Sequence, residues 1–161
     1  MSDLPDLLER FRRGAEVLAV TLTGAAGEEV DYITAPGKWS IRQILRHVAD
    51  SEIVGAQRFR HILAEENPTL IGYDQDAWVR NLDYHQRKPA QSLETFRRMR
   101  ADNHELLKDQ PASAFERTGM HSERGRLSLR QLVETYAEHA ESHGRQLQSI
   151  REEWKKLKGK K

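Results

Sequence analysis

Apolar residues recur along this chain at spacings of three and four, in four long stretches separated by polar segments that hold Gly and Pro. That is the period at which a helix of 3.6 residues per turn buries one face. The first stretch, from about Pro5 to Ala25, puts Leu7, Leu8, Phe11, Ala15, Leu18 and Leu22 on one side. Asp3 is its candidate N-cap, and Gly24 and Gly27 end it. The second runs from Ser40 to about Ala64. Ser40 with Gln43 reads as a capping box, and Trp39 with Ile44 as a hydrophobic staple. The third spans about Ala90 to Lys108 and turns Leu93, Phe96, Met99, Asn103, Leu106 and Leu107 inward. The fourth opens on another capping box, Ser128 with Gln131, and continues to about Trp154.

The connections are unequal. Residues 65–89 form a linker far longer than the 2–8 residues usual between bundle neighbours, so it is expected to cross the end of a bundle. A short helix from about Gln75 to Gln86 is expected within it. The segment through Gly119, His121 and Gly125 is polar and open to partly extended structure. With little strand signal elsewhere, the pattern predicts one all-α domain over residues 1–161, a bundle of four long helices.

Composition narrows the function classes. The chain is 37% hydrophobic and 32% charged, with a formal net charge of +1, which suits amphipathic helices and gives no field for nucleic acid. The positive charge gathers at the end: residues 151–161 hold six Lys/Arg against two Glu, and the tail from Lys155 reads as a solvated helix end. There is no cysteine, hence no disulfide, no thiolate metal ligand and no cysteine nucleophile, in keeping with a reducing compartment. No apolar run approaches the ~20 residues of a membrane span, and Met1 to Pro5 lack the features of a signal peptide. The expectation is a soluble, cytoplasmic protein with no membrane or nucleic-acid partner.

Candidate chemistry lies with three of the seven histidines. His139 and His143 are four apart on the inward stripe of the fourth helix, with Leu132, Tyr136, Leu147 and Ile150. His47 shares the buried stripe of the second helix with Ile44, Ser51 and Val54. One buried histidine is ordinarily a core residue with one hydrogen bond, but three on inward stripes would each need a polar partner in a small core. Together they form a candidate site for zinc, nickel, cobalt or iron, with a coordination position left open. The i,i+4 pair is not that of a zinc protease, because Ala140 follows His139 where the catalytic Glu would stand. Asp50, Ser51 and Glu52 flank His47, while Tyr73, Asp74 and Trp78 sit on the long linker that could cover the site. Asn103 is placed to orient an imidazole from the third helix. His61, His85 and His104 read as surface residues, and His121 is ambiguous.

Three segments in this order and spacing resemble the DinB-like (DinB/YfiT-like) superfamily. They are Trp39 to Glu52, Gly72-Tyr73-Asp74-Gln75-Asp76-Ala77-Trp78, and Tyr136-Ala137-Glu138-His139 with His143. The resemblance implies a bundle of up-down-down-up topology with a long crossover between helices two and three. It also implies one divalent ion, zinc or nickel first, on His47, His139 and His143, and a homodimer. Relatives of this kind include transferases that use a low-molecular-weight thiol, which a metal would hold as thiolate. The leading expectation is a metal-dependent transferase in which such a thiol, as co-substrate, attacks a small electrophile. A metal-dependent hydrolase and a non-catalytic metal-binding or dimerisation module are the alternatives.

Overall fold

The computed structural model describes residues 3–160. Five helices and three short strands follow one another as α1 (Leu4–Thr21), α2 (Ile41–Ala64), β1 (Thr69–Leu70), α3 (Gln75–Asn81), α4 (Pro89–Lys108), β2 (Thr118–His121), β3 (Gly125–Ser128) and α5 (Leu129–Gly159). The four long helices form the bundle. α1 is flanked by α4 and α5, and α2 by the same two, so the first two helices sit diagonally. Side-chain pairs give the directions. Arg10 meets Glu141 and Arg151 caps Thr21, so α1 and α5 run parallel. Arg100 meets Glu52 and Asp102 meets Arg60, so α2 and α4 are parallel too. Tyr136 packs near Phe59 while His139 meets His47, making α2 and α5 antiparallel. The topology is up-down-down-up.

The caps act as their residue types dictate. Asp3 accepts the Asp6 amide at 2.9 Å, and both capping boxes close: Ser40 with Gln43, Ser128 with Gln131. α1 ends at Thr21, earlier than its apolar period suggests, because the chain turns at Gly24 with φ +80°. α5 runs on past Trp154, whose ring lies 4.5 Å from Lys158 Nζ, and Lys158 reaches Glu28. Lys161 is outside the described residues.

The expected short helix divides in two. α3 stops at Asn81, and a 3-10 turn over Tyr84–Gln86 follows once Asp83 adopts φ +49°. The larger departure is a three-stranded sheet ordered β1-β2-β3, parallel between the first pair and antiparallel between the second. It ties the 65–89 crossover to the segment before α5. Gly119 lies where a Cβ would stand 3.0 Å from Leu70 and 3.1 Å from the Pro68 carbonyl, so a larger residue there would press the strands apart by a few tenths of an ångström.

The core has two apolar clusters. One, around Phe11, Phe59, Leu132 and Phe115, lies toward the sheet; the other, around Leu18, Ile44, Phe96 and Leu147, lies toward the opposite end. Between them α2 and α4 bury Glu52, Arg100 and Asn103, and α2 and α5 bring together the histidines. The chemistry sits in this polar layer.

Candidate metal centre

His47 projects from α2, about two turns past its cap, and is 2% exposed. His139 and His143 stand one turn apart on α5, each partly exposed. Their Nε2 atoms converge: His47 to His139 is 3.0 Å, and His139 to His143 is 3.1 Å. Ligands bound cis at ~2.0–2.1 Å, as on zinc, lie roughly 2.9–3.4 Å apart for angles between 90° and tetrahedral. The observed separations fit that range.

Hydrogen bonding alone does not account for the cluster. His139 Nε2 carries either one proton or one lone pair, so it completes only one of its two contacts as a good hydrogen bond. A cation facing all three lone pairs satisfies them together. The proton balance agrees. Burial, then the charge of His143, lowers the pKa of His47 to about 4, against a lift from Asp50. Burial and the other two imidazoles lower that of His139 to about 2, and burial lowers His143. All three are therefore neutral at pH 7 and ready to ligate without releasing a proton. Gln146 Oε1 accepts from His143 Nδ1 at 2.8 Å, which leaves Nε2 as the lone-pair nitrogen. The Trp39 ring, 5.0 Å from that of His47, walls the other side.

The remaining sequence candidates divide. Asp50 is buried one turn from His47, accepting from Arg46 Nε at 2.9 Å and from the Tyr84 hydroxyl at 2.5 Å. Ser51 is buried and sits close enough to Tyr73 to oppose the rise in its pKa, and Tyr73 packs on Trp78 at 4.5 Å. Trp78 thus supports Tyr73 and has no ring contact with an imidazole among the described residues. Asp74 is exposed and caps α3 through the Ala77 amide at 2.9 Å, a use its position before a helix explains. Asn103 is buried, but it donates to Glu52 and accepts from Arg60, both at distances near 3 Å, and orients no imidazole. Glu52 is committed to Arg100. Glu52 and Asn103 are thus spent in the contact between α2 and α4, whereas the imidazoles meet between α2 and α5.

Arg46, Arg58, Tyr84 and Gln146 also matter here; helix spacing could have found Arg46, four residues before Asp50, and Gln146, three after His143, while Arg58 and Tyr84 carry no such signal. His121 is 5% exposed, and its Nδ1 accepts the amides of Glu123 and Arg124 inside the β2–β3 turn, far from metal duty.

With fold and centre described, the sequence profile of the DinB superfamily matches residues 10–147. The chain belongs to the DinB superfamily. Its relatives include a protein of Oceanobacillus iheyensis named "Putative metal-dependent hydrolase", 29% identical over 96% of this chain and 84% of its own. Another of the same description, from Bacillus mycoides, is 30% identical over 78% of this chain and 72% of its own. YfiT from Bacillus subtilis, described as a probable metal-dependent hydrolase with an unusual four-helix bundle topology, superposes with a TM-score of 0.87. It is 22% identical over 93% of this chain and 86% of its own, a likeness of fold. As a DinB-superfamily member the chain carries a three-histidine site suited to a divalent ion. No helix of the described residues is long and apolar enough to cross a membrane.

Proposed function

We propose that this chain is a metal-dependent enzyme in which His47, His139 and His143 hold one divalent ion, zinc or nickel, and that the nucleophile it activates is a small thiol. The observation that carries the metal is the meeting of three neutral imidazole nitrogens at 3.0 and 3.1 Å with no carboxylate among them. Such an ion, when bound, supplies Lewis acidity and lowers the pKa of a thiol or water at its open position.

The thiol is favoured by what the neighbouring carboxylates do. Asp50 is held by Arg46 and Tyr84, Glu52 by Arg100 and Asn103, and Asp74 caps a helix. None stands ready as a general base. A thiol, with a free pKa near ~8.5, needs little help to ionise beside a cation, and the chain has no cysteine of its own to offer. The residues of this chain then do three things. The imidazoles fix the ion, Gln146 fixes a tautomer, and Trp39 and Tyr73 shape the opening.

Hydrolysis is the second reading, favoured by the names of the relatives. One series separates the two. Protein purified without a tag should hold close to one divalent ion per chain, lost in His139→Ala. With cobalt in place of the native ion, 2-mercaptoethanol should produce a sulfur-to-cobalt charge-transfer band. No metal uptake would end the enzyme reading. A loaded protein that shows no band with thiol but cleaves a nitrophenyl ester would move the function to hydrolysis.

A further inference from the structure

Arg58 differs from every other arginine that the fold shields. Among the described residues, each other arginine that is buried or half-buried has a carboxylate within salt-bridge distance, as Arg46 has Asp50, Arg100 has Glu52 and Arg151 has Glu29. Arg58 has none. Its Nη1 donates to the Tyr136 hydroxyl at 3.2 Å and its Nη2 to the Ile71 carbonyl at 2.8 Å, both neutral oxygens. Its Nε is buried with no partner at all. A partly desolvated cation left on neutral acceptors is costly, and a guanidinium is shaped to take a planar anion in two parallel hydrogen bonds.

The surroundings lead to the metal centre. Tyr136 stands three residues before His139, and their rings are 6.5 Å apart. Tyr73, on the crossover, lies near Ser51, one turn along α2 from His47. Burial raises the pKa of Tyr73 and pushes that of Tyr136 up to about 12, so both phenols keep their protons and add donors, not charge. The negative charge of Asp50 is already met by Arg46.

We propose that Arg58, with the hydroxyls of Tyr73 and Tyr136, is the subsite for a carboxylate on the molecule that binds the metal centre. The substrate class is then a small metal-binding molecule with a carboxylate set apart from its reacting end. One guanidinium balances one negative charge, so a monoanionic carboxylate fits better than a phosphate, which would bring nearly two. The inference rests on the metal-centre reading.

The test uses cobalt-loaded protein and ω-mercapto acids of increasing chain length, each against the alcohol of the same length. At one length the acid should bind at least about tenfold more tightly than its alcohol, the scale of a charge-assisted contact. Arg58→Met should bring that ratio close to one, and Arg58→Lys, which keeps charge without the fork, should give a ratio in between. Ratios near one at every length in the wild type, or a ratio that survives in Arg58→Met, would overturn the proposal. Thermal shifts with hexanoate, read beside them, need no thiol: a rise in the wild type that Arg58→Met lacks supports the subsite, and no rise counts against it. Failure of the thiol reading shows separately, as cobalt spectra that no thiol changes, acid or alcohol.

Discussion

At the scale of single residues, close approach decides the site as much as donor chemistry does. α2 and α5 meet through Gly55, where an added Cβ would stand 2.7 Å from Cε1 of Tyr136. Gly55→Ala sets two effects against each other. Alanine improves helix propensity by about 1 kcal/mol, while overpacking a close contact costs about 1–3 kcal/mol. Tyr136 is wedged against Phe59 as well, so overpacking should win, with a net loss of about 1 kcal/mol in urea unfolding and a weaker hold on metal. A variant of unchanged stability and affinity would show that the helices separate freely there. The three histidines were legible in the sequence because a helix turns i and i+4 to one side, and each stripe is continuous. Arg58 was not, since what sets it apart is the absence of a nearby carboxylate, and no local pattern records an absence.

At the scale of elements, the long helices could be read from period and caps, whereas the sheet could not. β1 has two residues, and its partners lie some fifty positions away, so alternation never develops far enough to signal a strand. The sheet depends on His121, which is buried with Nδ1 accepting two turn amides. Burial lowers its pKa from 6.5, the charges of Arg58 and Arg124 push the same way, and Glu123 opposes them. The folded state therefore takes up the proton less readily than the unfolded chain. Its contribution is fully present above pH 6.5 and is lost progressively as pH falls from there toward the lowered folded value. Amide signals of Glu123 and Arg124 should thus move below pH 6.5, and in His121→Phe that pH-dependent movement should vanish. A pH-dependent movement that persists unchanged in His121→Phe would mean the turn does not rely on the imidazole. Local signals are the right readout, because the three clustered histidines titrate as well.

At the scale of the whole molecule, one side chain touches all four long helices. Arg100 leaves α4, pairs with Glu52 on α2 at 2.8 and 2.9 Å, and donates to the Phe11 carbonyl on α1 and the Tyr136 carbonyl on α5. It also lies over the Phe11 ring at 4.0 Å. Gly14 leaves it room, since a Cβ there would stand 2.6 Å from its Nη1. This tie crosses the bundle between its two apolar clusters, at the level where α5 begins to present its histidines. Breaking a buried pair from one side leaves an uncompensated charge and costs about 3–5 kcal/mol, whereas replacing both partners by apolar residues can be nearly neutral. Glu52→Leu alone should therefore be severely destabilised, and Glu52→Leu with Arg100→Met much less so. Metal affinity should separate the roles of the pair. If the tie sets the register of α5 on α2, the double variant recovers stability but still binds metal more weakly than the parent. Full recovery of both would reduce Arg100 and Glu52 to filling. Single variants that lose less than about 1 kcal/mol would show that water reaches the pair, and the layer between the two cores would then not be closed.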